Sequence, residues 1–360
     1  MDIARRRLAA QHLTRPVLTD AAEVVRVLGA VQSQDYAGAK WAIGMRSRGV
    51  TDESVERAFN EGRIIRTHVL RPTWHFVAPA DVRWMLALTA PRIKRVMSYY
   101  NVQVGLDEAL LRRTNRILER ALRDGNQLTR TELAKVLERA RVDVSGPFRL
   151  ARVVMNAELD AVVCSGGRRG KQFTYALLEE RVPPARGLDP NEALLELTRR
   201  YFTTRGPATP NDFAWWSGLT VADARRGIEM MGNALERETI DGRAYWSVPS
   251  AVRRWRAPVV HLLPNYDELF IGHKDRSALG ERLASVDLVT GGDALTAYVV
   301  VVDGQLVGGW KRTPTARPVA IDLRLLVRLS AAERAALSAA ARRYAAFLGT
   351  AVEVLPAGRL

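Results

Sequence analysis

The chain has 360 residues, 47% hydrophobic and 26% charged, which is enough apolar side chain for two or three packed cores and too much for a disordered protein. A single cysteine and five histidines exclude an intrachain disulfide and a cysteine-rich zinc centre, and no apolar run is long enough to span a bilayer. The net charge of +15 points to a polyanionic partner, with nucleic acid ahead of membrane surfaces and acidic proteins.

The start, MDIARRRLAAQHL, has a basic beginning but lacks the apolar core and cleavage site of a secretion signal. The cytoplasm, on nucleoid DNA, is the expected compartment. IARRRLAAQHL reads as a helix, Thr19 caps a second over AAEVVRVLGAV, and TDESVERAFNEG is a third. Strands follow in IIRTH and TWHFV, and the glutamine-bearing QSQDYAGAKWAI interrupts the pattern. Residues 106–178 show a clearer order. DEALLRRTNRILERAL is amphipathic, Thr129 and Glu132 form a capping box for TELAKVLERA, RLARVVMNAELDAV is a third helix, and VVC-SGGRRGK-QFTYALL is a hairpin with a basic tip.

Residues 189–248 repeat it. Asp189 and Pro190 open one helix, Thr209 and Pro210 a short second, and Thr220 with Asp223 a third, before a hairpin turning at Asp241-Gly242. This order is that of a winged helix. From residue 251 the chain reads as strands (VVHLLPNYDELFIG, AYVVVV, QLVGGW, VAIDLRLLVRL), the helix AAERAALSAAARRYAAFL and a last strand AVEVL, with linkers at 182–187 and 248–254. The expected fold is α+β, mainly α: three tandem winged-helix motifs at 1–105, 106–187 and 188–250, and a β-rich C-terminal subdomain at 251–360.

A winged helix sets its third helix in the major groove and its wing on the backbone. Arg149 and Arg152 lie on one such helix and Arg225 and Arg226 on another. Arg168, Arg169 and Lys171 lie on a wing. These are expected DNA contacts, the alternative being solvated arginines. In RTHVLRPTWHFV, Arg66 and Arg71 face phosphate on this reading, and His68 and His75 are either bases, phosphate contacts or packing residues. HLLPNYDELFIGHKDR crowds Asp267, Glu268, His273, Lys274, Asp275 and Arg276 together. An ion-pair network fixing a loop is the favoured reading, ahead of a metal site and of direct DNA contact. Lys274 is a candidate Schiff-base amine. Cys164, in an apolar run, reads as a buried strand residue rather than a nucleophile. Phosphate-loop, dinucleotide and serine-elbow motifs are absent.

Gln32 and Gln34 in VQSQDY are two apart, so their side chains share a face only in an extended segment or at a helix end. There, two neutral amides can hold one water. Alternatively, one caps a helix and the other is solvated.

Together, VQSQ, RTHVLRPTWHFV, GGRRGKQFTYALLEERVP, LLPNYDELFIGHKDR and VVVDGQLVGGWKR resemble the AlkZ-like DNA glycosylases, a bacterial winged-helix family. The resemblance implies three winged-helix motifs in a concave arrangement and monofunctional action on alkylated purines in double-stranded DNA. In some members the action extends to interstrand crosslinks made by natural alkylating toxins. It implies no cofactor, and a monomer suffices for the footprint. The family's catalytic Gln-x-Gln pair maps onto Gln32 and Gln34, with Asp35 as an electrostatic helper, and Lys274, Arg276, Lys311 and Arg312 join the DNA-contact set. One departure is Ser33, where the family typically has an aliphatic residue. The rival functions are a non-catalytic winged-helix regulator and a lyase acting through Lys274.

Overall fold

A computed structural model describes residues 3–249, 258–284, 298–313 and 318–354, so the linker expected at 248–254 lies mostly outside the described residues. The protein is mixed α/β, about half helical.

After α1 (Ile3–Ala10) come α2 (Ala21–Leu28), β1 (Ala30–Gln32), α3 (Tyr36–Met45), α4 (Asp52–Asn60), β2 (Ile65–His68) and β3 (Trp74–Val77). The strands form a sheet ordered β1-β3-β2. Two expectations are corrected here. Asp20, not Thr19, caps α2 by accepting from Glu23 N. The segment read as an interruption is strand β1 followed by helix α3, whose N-cap is Asp35. Its glycines and alanines hide a helical period because eight of the ten α3 residues are buried all round.

The 25-residue α5 (Pro79–Gln103) leads to α6 (Glu108–Leu122), β4 (Leu128–Thr129), α7 (Arg130–Arg139), α8 (Arg149–Leu159), β5 (Val163–Arg169) and β6 (Gln172–Leu177). Their sheet order, β4-β6-β5, reproduces that of the first sheet. The Thr129–Glu132 capping box forms as expected. After α9 (Leu178–Arg181), the elements α10 (Pro190–Arg205), α11 (Pro210–Ser217), α12 (Val221–Met231), β7 (Glu236–Ile240) and β8 (Arg243–Ser247) follow, with a bridge from Ala208 to Trp246 standing beside the β7–β8 hairpin. The boxes at Asp189, Thr209 and Thr220 are all present.

The last part comprises β9 (Val260–Leu263), α13 (Glu268–Ile271), β10 (Val299–Val302), β11 (Gln305–Thr313), β12 (Val319–Leu325), α14 (Ala331–Leu348) and β13 (Val352–Val354). Among the described residues the strands order as β13-β12-β11-β10-β9, with β13 parallel to β12, and a register shift at Val300/Val301 bends the sheet. YDELFIG, expected as strand, holds the short helix α13 instead, started by Asp267.

One core joins the two ends of the chain. Leu8, Val24, Trp41, Ile43 and Phe59 pack with Val300, Trp310, Tyr344 and Phe347. The Trp41 and Trp310 indoles donate to the Leu262 and Leu263 carbonyls at 2.7 and 2.8 Å. Arg46, fully buried, forms a bidentate pair with Asp267 at 2.8 Å through each nitrogen. No helix among the described residues is long and apolar enough to cross a membrane.

Breaking a buried pair strands a charge, so Asp267→Ala should lose about 3–5 kcal/mol of unfolding free energy, read from urea denaturation. A loss under about 1 kcal/mol would show that water already reaches Arg46. Burial also pushes His261 down to about 4 and His273 to about 3, and His75 well below its ordinary value. Each is neutral when folded and takes up a proton on unfolding below about pH 6.5. Stability should therefore fall as pH drops from 6.5 towards 4, by roughly 1.4 kcal/mol per pH unit per fully shifted ring. A urea midpoint that stays flat through this window would contradict the buried rings.

Candidate active site

Strand β1 ends at Gln32, the chain turns through Ser33 and Gln34, and α3 begins after Asp35. Both sides of this turn are pinned through the backbone. Gln32 pairs with His75 in the sheet, and Ser33 N donates to the Trp74 carbonyl at 2.8 Å. From the opposite side, Gln32 N donates to Glu268 Oε1 at 2.8 Å. Glu268 has no solvent exposure, and its other oxygen accepts from the Arg205 guanidinium and, at 2.9 Å, from Trp216 Nε1. Arg205 also donates to the carbonyls of Leu28 and Ala30 at 2.8 and 3.1 Å. A buried ion pair thus fixes the strand that carries Gln32.

The two glutamines occupy different environments. Gln32 is 6% exposed, and its Oε1 accepts from Arg71 Nη2 at 2.7 Å. With the carbonyl engaged, the amide NH2 is the free end. It has no partner among the described residues and is not sealed from solvent. Gln34 is exposed, also without a hydrogen bond among those residues. Asp35 is half-buried and doubly engaged, capping α3 through Gly38 N and accepting from the Tyr298 hydroxyl. Arg71 is set by a close approach, since Gly218, in the left-handed region at the end of α11, lies where any side chain would strike the Leu70 carbonyl. Burial pushes the Arg71 guanidinium down to about 10, so it stays a cation at neutral pH.

Around the turn, cations interleave with aromatic rings. The Arg71 and Arg276 guanidiniums lie 5.8 and 5.6 Å from the ring of Trp215, which is 43% exposed and anchored by its indole N–H to the Ile271 carbonyl. From the β5–β6 hairpin, Arg168 reaches the rings of Tyr36 and Phe173 at 5.0 and 4.8 Å. Arg66 stacks on Trp74 and Phe173 at 4.2 and 4.6 Å. Exposed aromatics beside arginines suit nucleic acid, which offers both phosphates and π-faces.

Other expected residues fall in varied places. His75 is fully buried, its Nδ1 against the Thr73 carbonyl, which removes it from the DNA-contact set. His68 is a packing residue, hydrogen-bonded to Glu158 and stacked on Trp74. Arg149 is spent on the carbonyls of Asp143, Val104 and Gly105, so it braces a loop rather than facing DNA. Arg152 lies over Tyr100, and Arg169 pairs with Glu132. Arg312 donates to the Tyr344 hydroxyl. Lys171, Arg225, Arg226, Lys274 and Lys311 are exposed. Lys274 therefore lacks the desolvation that would make it a Schiff-base amine. Cys164 is buried, its thiol pushed up to about 12 by that burial. No three metal-ligating side chains converge among the described residues.

The 261–276 segment does carry an ion-pair network, but its acids pair with distant arginines rather than with the neighbouring cations: Asp267 with Arg46, Glu268 with Arg205 and Asp275 with Arg243. Sequence reading missed Arg205, the Glu268 contact to Gln32, and Trp215. The WW pair in α11 was the available signal for Trp215, since two consecutive helical residues cannot both face one core.

A model of the family described as DNA glycosylase AlkZ-like matches residues 25–347. The interstrand DNA cross-link repair glycosylase of Streptomyces sahachiroi is 26% identical over 323 residues, covering 85% of each protein. The solved structure of Streptomyces sahachiroi DNA glycosylase AlkZ superposes with a TM-score of 0.79 at 23% identity, over 98% of each chain, and shows the same fold. With the family match spanning both glutamines, the basic hairpin and the Glu268 segment, this chain belongs to the AlkZ-like DNA glycosylase family.

Proposed function

We propose that the protein is a DNA glycosylase that hydrolyses the N-glycosidic bond of ring-alkylated purines, with Gln32 and Gln34 holding the attacking water. The observation that carries this reading is the fixed polarity of Gln32. Because Arg71 occupies its carbonyl, Gln32 offers an N–H to a water's lone pair. Gln34, exposed in the turn just past Ser33, accepts a water proton through its Oε1. The water's remaining lone pair is left to attack C1′ of the sugar.

Neutral amides suffice for this reaction. An alkylated purine is already cationic and leaves without strong acid catalysis, and the oxocarbenium-like centre needs a placed nucleophile more than a basic one. The exposed position of Gln34 supports a bulky substrate, because a solvent-facing turn tolerates an adduct that a closed pocket would reject. The Streptomyces relative is named for cross-link repair, and an interstrand cross-link is among the substrates proposed here. Hydrolysis needs water alone, so no cofactor enters.

The DNA-holding scaffold is proposed as three winged-helix units, 1–105, 106–187 and 188–250, followed by a β-rich part at 251–360. The repeated helix–strand–helix–helix–hairpin order and the shared sheet orders β1-β3-β2 and β4-β6-β5 support the first two. The helix trio and hairpin at 190–247 support the third. Three linked units would act as a monomer, with Lys171, Arg225, Arg226, Lys274 and Lys311 on phosphates.

The test is excision from duplex DNA bearing one ring-alkylated guanine, read as strand scission after alkali. Gln32→Ala with Gln34→Ala should reduce single-turnover excision by at least about 100-fold, with the Kd for an abasic-analogue duplex within about threefold. Scission equal to wild type would remove the water-holding assignment, and no scission from any lesion by the wild-type protein would favour a regulator. Arg71→Met frees the Gln32 amide to flip and should lower the excision rate about 10–100-fold with binding nearly unchanged. An equal loss of both would make Arg71 a phosphate contact instead.

A further inference from the structure

A recess lies beside the Gln32–Gln34 turn. It is a cavity of about 330 Å³ bounded by Arg66, Trp74, Arg130, Lys171, Phe173 and Tyr175, with Thr129 and Thr131 at the start of α7. Arg66 is the informative member. Only 7% exposed, it forms no ion pair among the described residues. Its Nε donates to the Ser33 carbonyl at 3.2 Å, between the two glutamines. Trp74 and Phe173 lie against the guanidinium. Its two terminal nitrogens face the cavity without a hydrogen-bond partner among those residues and without being sealed from solvent.

Two rings lie against the Arg66 guanidinium, and its Nε end is already used by the Ser33 carbonyl. What is left is the two-pronged edge that matches a tetrahedral oxyanion. The other walls add the same sign. Arg130 and Lys171 contribute two cations, and of the first-turn amides of the ten-residue α7 those of Arg130 and Thr131 lie outside the helix's own ladder, the Glu132 amide being taken by Thr129 Oγ1. The carboxylate nearest α7's start, Glu132, is taken up by Thr129 and Arg169. A cationic alkylpurine would be repelled here, whereas a phosphodiester would not.

We infer that this recess docks one backbone phosphate beside the damaged nucleotide, and that Arg66 couples the phosphate to the Gln32–Gln34 turn through the Ser33 carbonyl. The inference rests on the glycosylase reading for its identification of the neighbouring nucleotide. Arg66 acts as a positioning residue: the anion fixes the guanidinium, and the guanidinium fixes the backbone between the two amides.

A neutral methylphosphonate, placed one position at a time along a duplex with an abasic analogue, tests this. In the wild-type protein one position within two phosphates of the analogue should raise Kd roughly 10–100-fold. In the Arg130→Ala, Lys171→Ala double variant the penalty at that same position should fall below about threefold, with other positions unchanged. Arg66→Lys keeps the charge but loses the fork, and should slow excision more than it weakens binding. The inference is overturned if no single position is sensitive, if the double variant leaves the penalty intact, or if the variant weakens every position equally. It is also overturned if inorganic phosphate at matched ionic strength displaces the duplex, which would make this a free-phosphate site. A sensitive position in a protein that excises nothing would sink the glycosylase reading and leave the recess standing.

Discussion

Glu268 sits where water does not reach, and a bare carboxylate there would be untenable without the groups that surround it. One oxygen takes the Gln32 amide. The other takes Arg205 and the Trp216 indole. Through this one side chain the C-terminal segment, helices α10 and α11, and the edge of the first sheet become mutually dependent. The geometry of the glutamine turn is therefore not local. It is set by residues about 170 to 240 positions away in sequence, brought together by a charge that has no cheaper place to go.

The β5–β6 sheet contributes to the same place from the other flank. The β5–β6 hairpin carries Arg168 and Phe173 against Tyr36, the first residue of α3, and against Arg66. The basic hairpin is thereby packed on the segment that follows the glutamine turn. Hairpin and turn share one wall, so a displacement of the hairpin is passed to the turn through Phe173 and Arg66.

Much of the helical architecture was legible in the sequence because capping is local. Thr129 with Glu132, Asp189 with Pro190 and Thr220 with Asp223 each announce a helix within four residues, and each cap is formed. Helix α14 spans the residues expected of it, Ala331–Leu348. The failures have equally physical causes. Thr19 and Asp20 are adjacent capping residues, and only the carboxylate reaches Glu23 N. Helix α3 is buried on all sides, so no polar face marks it. At the site, the Gln-x-Gln spacing was visible, but the unequal burial of its members was not, because Arg71 and Glu268 come from other elements. His75 looked available for the converse reason: a strand flanked by aromatics gives no hint of which face is sealed.

The shared core between the chain's beginning and end governs how the molecule can be made. Leu8, Val24 and Phe59 leave the ribosome early, but their packing partners Val300, Trp310 and Phe347 arrive only after most of the polypeptide has been synthesised. At roughly 5–20 residues per second, the early helices can pack on one another but wait tens of seconds for the rest of their core. The middle units, whose own contacts lie closer in sequence, can mature first. Such an order of assembly leaves part of that core open to other nonpolar surfaces until helix α14 closes over it as a clasp.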